Sequence, residues 1–137
     1  MVRSGRGGCA LAGICPARGK KRGVSLHSVA TASGIASESA RRLFGFTRAV
    51  APADLLQDKD ADAVFVLSRH DSHAQYVVAA LSSHKPVLVE KPLAVNREQL
   101  EEIRSVYQAA KEAGPAPVSM VGYNRRVAPV TDRRIVV

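Results

Sequence analysis

Four short clusters in this 137-residue chain combine residue types and spacings that can do chemistry. Glu90-Lys91-Pro92 directly follows the apolar run Val87-Leu88-Val89. A lysine set at the mouth of a cleft and partly desolvated there can pass a proton to or from a hydroxyl. The same residues also read as a surface turn closed by proline. Ser68-Arg69-His70-Asp71-Ser72-His73 follows a second apolar run. Its two histidines could serve a metal, but no cysteine or carboxylate constellation elsewhere completes a zinc ligand set, so no metal is expected. The bland reading is a loop in which Asp71 or Ser72 caps the next helix. Gly5-Arg6-Gly7-Gly8-Cys9-Ala10 has the spacing G-x-G-x-x-A. Such glycines permit a tight turn and close backbone approach to a pyrophosphate, although a Gly- and Arg-rich arm has the same composition. Tyr123-Asn124-Arg125-Arg126 offers donors suited to sugar hydroxyls or carboxylates, or else forms a solvated basic turn.

These clusters need elements to position them. Residues 24–31 are β-branched and apolar enough for a strand. A helix over 35–44 puts Ala36, Ala40, Leu43 and Phe44 on one face, and Gly45 stops it. A short strand over 46–50 and a brief helix from Pro52 to Gln57 come next. Residues 63–67 are apolar without alternation, as in a strand covered on both faces. The helix over 72–83 carries Ala74, Val77, Val78 and Leu81 as its stripe. After the strand at 87–89, Asn96-Arg97-Glu98-Gln99 reads as a capping box. It opens a long helix with Leu100, Ile103, Tyr107 and Ala110 inward, closed by Gly114-Pro115. Residues 118–122 supply a last strand. Strands alternating with helices predict an α/β fold, a doubly wound parallel sheet of Rossmann-like form. Its ligands bind at the carboxyl ends of the strands, where all four clusters fall.

Composition narrows the partners. The net charge of +8 is uneven: residues 1–22 carry six basic side chains and no acid, and residues 125–137 carry four against Asp132. The body between them holds ten basic and eleven acidic residues. A neutral body with 4% aromatic content and no basic stripe makes nucleic acid an unfavoured partner. No apolar run reaches the roughly 20 residues of a membrane span. Two cysteines, Cys9 and Cys15, make no disulfide framework, which favours a reducing, cytoplasmic setting.

Taken in order, 62–67, 69–74, Val89-Glu90-Lys91-Pro92-Leu93 and Val121-Gly122-Tyr123-Asn124-Arg125-Arg126 resemble the Gfo/Idh/MocA oxidoreductases. The look is nearest to the branch in which this module is fused behind an alcohol dehydrogenase-like module. The resemblance implies a Rossmann domain over 1–126 that binds NAD or NADP, with 127–137 as a basic stub of a second domain. It implies hydride transfer between nicotinamide and a hydroxyl-bearing carbon of a sugar or cyclitol. Gly5, Gly7 and Ala10 would form the phosphate turn, and Arg69 and His73 would lie on the ribose and nicotinamide side. Glu90 would hold the nicotinamide ribose, and Lys91 would polarise the reacting hydroxyl, aimed by a cis peptide to Pro92. Tyr123, Asn124 and Arg125 would stand on the substrate side.

Departures from the family pattern set four expectations. The substrate domain is absent, so turnover by this chain alone is not expected, and a small hydroxylated substrate requires that domain to be supplied. The opening strand is cut to Met1-Val2-Arg3-Ser4, too short for the centre of a sheet. Thr31 stands where an acid would grip the adenosine ribose, which removes the NAD-type anchor and leaves NADP open. His84 stands where glycine usually ends the helix, which forces a left-handed residue. The rival reading is a non-enzymatic module that binds a partner or an anionic ligand through its basic ends. Oligomeric state is not legible.

Overall fold

The computed structural model describes residues 10–15, 25–115 and 117–123. Six strands form one sheet: β1 (Ala10–Cys15), β2 (Ser25–Thr31), β3 (Arg48–Ala49), β4 (Ala63–Val66), β5 (Val87–Glu90) and β6 (Ser119–Gly122). Four α-helices accompany them: α1 (Gly34–Phe44), α2 (Pro52–Gln57), α3 (His73–Ser82) and α4 (Arg97–Ala113). The strand order is β3-β2-β1-β4-β5-β6, which reverses direction of travel at the centre. Pairing is parallel between β2 and β3, β4 and β5, and β5 and β6.

The centre departs from the fully parallel expectation. β1 runs antiparallel to both neighbours, with Ala10 opposite Thr31 and Leu11 opposite Val66. The central position is thus filled by residues 10–15; the four residues at the chain start, where the opening strand was expected, lie outside the described residues. An uninterrupted apolar run meets the demand of a central strand in either polarity, because burial on both faces ignores chain direction. Between Gly13 and Ile14 the register with β2 slips, leaving His27 at the irregularity.

The crossovers sort the helices. α1 links β2 to β3 in one direction, whereas α3 and α4 link β4 to β5 and β5 to β6 in the other. Right-handed connections therefore place α1 on the face opposite α3 and α4. The packing agrees. Val64, Val66 and Val89 meet Leu55 of α2, Val77 and Leu81 of α3 and Ile103 of α4, all buried. Val29 and Phe46 form the other core, with Ala40, Phe44 and Phe65 against it.

Several element edges shift. The strand over 46–50 shortens to two residues, and α3 begins at His73 because residues 70–72 form one 3-10 turn. In α1 the predicted apolar face fails at Leu43, which is 76% exposed, while the buried position is Ser37. Ser37 is drawn inward because its Oγ accepts from the Thr31 N–H at 2.9 Å. In α4, Ile103 and Ala110 are buried but Leu100 and Tyr107 stay partly exposed. Asn96 caps α4 by accepting from the Gln99 N–H, whereas the Gln99 side chain reaches Val95 N–H, one residue before the cap. Gly114 follows α4 with extended backbone, not a left-handed turn.

His84 does take the left-handed conformation at φ 51°. That turn aims Lys85, whose Nζ donates to the carbonyls of Asp58 and Ala61 at 2.6 and 2.8 Å. Asp58, largely shielded, takes His27 Nε2 and Arg48 Nη1 on one carboxylate oxygen and the Asp60 N–H on the other. Burial pushes its carboxyl up, but the Asp60 N–H, His27 and Arg48 outweigh it and hold the group below the usual range.

Two stability effects follow from this lock. A carboxylate held low in the folded state contributes stability above its ordinary range and loses it as pH falls through the folded value. Asp58→Asn is expected to cost about 1.5–3 kcal/mol at pH 7, and the gap to wild type should close in acid, as read by denaturant midpoints across pH. Removing the Cβ penalty at the left-handed turn should let His84→Gly gain about 1 kcal/mol in the same measurement.

Candidate functional site

Parallel register brings the strand ends into one line. Val66 pairs with Val89 and Val89 with Val121, so residues 67–69, 90–92 and 122–123 emerge side by side. Thr31 and Ala10 stand at the same edge, since β1 enters the sheet where its neighbours leave it.

Glu90 is the last residue of β5 and lies opposite Gly122. Its carboxylate rests on the Gly122 backbone so closely that a Cβ there would meet Glu90 Cδ at 3.3 Å. Lys91 is exposed and makes no hydrogen bond or ion pair with any described residue. The Lys91–Pro92 peptide is cis, as the resemblance implied. Beyond it, Pro92, Leu93, Val95, Leu100 and Tyr123 line an open groove of about 540 Å³.

Arg69 is exposed at the end of the β4 loop, with Nε 3.6 Å from Asp71 Oδ1. A shallow depression of about 420 Å³ lies between residues 68–71 and Val95. Neither Asp71 nor Ser72 caps α3. The Ser72 hydroxyl lies 2.9 Å from the Arg69 carbonyl and 2.8 Å from Ser68 Oγ, so it braces the turn instead.

Two residues expected to face the cofactor are turned inward. His73 is fully buried, with Nδ1 2.7 Å from the Pro92 carbonyl oxygen and Nε2 3.0 Å from that of Ser68. Neither nitrogen is left for a ribose, a nicotinamide or a metal ion. The side chain sits at the start of α3, where the preceding 3-10 turn points it back between the loops. Thr31 is 9% exposed, and its hydroxyl donates to the Ser33 carbonyl at 2.7 Å beside Ser37 Oγ at 3.2 Å. That pairing replaces the acceptor an acid would offer with a closed polar turn. Tyr123 is exposed beside the groove. Gly5, Gly7, Asn124 and Arg125 lie outside the described residues, and Ala10 is in β1 rather than in a turn.

The donor set at the β4–β5–β6 end fits the nicotinamide and ribose portion of a dinucleotide: an acceptor in Glu90, and cations in Arg69 and Lys91. At the β1 end the fit is different. The next described element after β1 is its antiparallel neighbour β2, so the described residues build no helix amino terminus there for a pyrophosphate.

Three features were missed from sequence: the inward His73, the Thr31–Ser37 pairing and the Glu90 seat on Gly122. Only the last left a trace, as a glycine at the end of an apolar strand, a mark of close backbone approach.

Comparison with known proteins agrees with the geometry. The model of the Gfo/Idh/MocA oxidoreductase family, NAD-binding Rossmann fold, matches residues 5–123. An inositol 2-dehydrogenase of Saccharopolyspora erythraea is 32% identical over 126 residues, covering 89% of this chain and 36% of the relative. One from Paracoccus denitrificans is 38% identical over 78 residues, 57% of this chain and 22% of its own. The chain therefore spans about a third or less of these relatives. Among solved structures, myo-inositol dehydrogenase from Lactobacillus casei in complex with NAD(H) and myo-inositol superposes with a TM-score of 0.69 at 32% identity, covering 77% of this chain and 30% of that one. A levoglucosan dehydrogenase in complex with NADH and levoglucosan gives 0.66 at 26% identity, over 74% and 26%.

The Glu90 seat is open to direct test. Gly122→Val should displace the carboxylate and shift the Glu90 side-chain carboxyl 13C resonance, while β propensity keeps the sheet at least as stable. An unmoved resonance would show that the carboxylate does not rest on Gly122.

Proposed function

The chain belongs to the Gfo/Idh/MocA oxidoreductase family, as its NAD-binding Rossmann domain, and on that premise we propose that it presents NAD or NADP to a hydroxyl of a cyclitol- or sugar-type substrate. The observation that carries the reading is the position of Glu90-Lys91-Pro92 at the end of β5, on the edge where such sheets take ligands. The inositol and levoglucosan named in the relatives' complexes support the substrate class. The branch fused to an alcohol dehydrogenase-like module finds no support in these relatives, so the reading stays with the family.

Nicotinamide, when bound, supplies the hydride chemistry. The work of the chain is to bind and orient. Glu90 accepts hydrogen bonds from ribose hydroxyls, and Gly122 gives its carboxylate room to do so. Arg69 lies beside the depression at residues 68–71 and contributes positive charge toward phosphate or ribose oxygen. Lys91, exposed and without a partner among the described residues, is the group placed to donate to a substrate hydroxyl oxygen and polarise it. Tyr123, with Asn124 and Arg125 following it, stands on the groove side for substrate contacts. The relatives are about three to five times longer than the stretches matched, so turnover is assigned to a protein with a substrate domain as well as this one. A reducing cytoplasm is the proposed setting.

Fluorescence titration of the folded chain with NADH and NADPH tests this reading. Saturable binding of at least one is expected, and Lys91→Ala should weaken it by about tenfold, close to 1.4 kcal/mol. A folded chain that binds neither would sink the proposal.

A further inference from the structure

His73 takes up neither solvent nor ligand space, yet it touches both loops that carry the candidate binding groups. Its ring nitrogens lie 2.7 Å from the Pro92 carbonyl oxygen and 3.0 Å from that of Ser68. Ser68 precedes Arg69, and Pro92 follows Lys91. A neutral imidazole has one N–H and donates to one carbonyl at a time, whereas the protonated ring donates to both. By donating to one carbonyl and packing against the other, the ring spans two strand-end segments that the sheet itself no longer pairs. The exposed His70 ring packs edge-on against it at 5.6 Å, closing the outer side.

We infer that His73 is a positioning residue: it ties the loop bearing Arg69 to the cis-proline segment bearing Lys91, and so sets the spacing of the two cations over the carboxyl edge. Its effect on a cofactor rests on the function proposed above, whereas the tie itself is a property of the free chain. The arrangement separates the roles that sequence had merged. Arg69 and Lys91 face outward toward ligand, and His73 faces inward to hold both.

The test uses the full chain. In 15N-labelled wild type without cofactor, a His73 ring N–H should exchange slowly with water, while those of the exposed His70 and His84 exchange fast. A His73 ring that exchanges at the rate of His70 overturns the inference, and this measurement needs no variant. His73→Leu removes both ring nitrogens. It should accelerate amide exchange about tenfold at residues 69–72 and at Lys91, Leu93 and Ala94, while β2 stays protected. His73→Asn places a donor near the former Nδ1 and should restore protection on the proline side only. Exchange that rises uniformly over the sheet, or not at all, overturns the tie. If wild type binds NADH, His73→Leu should also raise its Kd about tenfold, and an unchanged Kd with loosened loops overturns the positioning role. If wild type binds neither cofactor, the functional reading fails and the exchange pattern still decides the tie.

Discussion

The hydrogen-bond ladder that sets Val66 beside Val89 and Val89 beside Val121 governs everything at the functional end of this molecule. Parallel strands in this register must end together, so the chain has to leave the sheet three times within a narrow strip. Each exit exposes polar backbone and whatever side chains lie next in sequence. The ladder is itself held by valines that reach the α2, α3 and α4 core from one face of the sheet. Packing that has no chemical specificity thus decides which reactive groups become neighbours. His73 completes that decision one step beyond the last rung, where backbone pairing has stopped.

The reversed central strand shows that place in the sheet and polarity are separable. β1 pairs with β2 from Ala10 to Cys15, across one register slip, and with β4 from Leu11 to Ile14, and the strand order keeps its reversal at the centre. Sheet continuity therefore does not require the central strand to run with the others. What the reversal alters is the chain that follows. A parallel first strand would deliver its next residues to the ligand edge, whereas β1 delivers Cys15 to the opposite edge and receives Ala10 at the ligand edge. The ends of β4 to β6, which lead to Arg69, Lys91 and Tyr123, keep their parallel register.

Much of this was legible in sequence because it rests on local pattern. The valine-rich runs announced β4 and β5, the stripe Ala74, Val77, Leu81 announced α3, and Asn96 announced the start of α4. Even the left-handed His84 could be read, since it stands at a helix stop where the family usually has glycine. The remainder depended on contacts distant in sequence. Leu43 has the right spacing to be buried, yet a hydrogen bond from Thr31 draws Ser37 to the sheet instead. The family resemblance put His73 on the ligand side; its inward turn depends on carbonyls at positions 68 and 92. The polarity of β1 has no local signature, because an apolar run reads the same in both directions.

The two margins of the sheet are unlike. On one side β3 is two residues long and carries Arg48, which spends its charge on Asp58. On the other side β6 is four residues long, with no further strand beside it among the described residues. Met120 stands 56% exposed there, and Val118 just before it 71%. Peptide groups along that margin have to be solvated by water or satisfied by another extended segment, and apolar neighbours make water the poorer solvent. The colloidal behaviour of this domain is accordingly set less by its core than by what lies alongside β6.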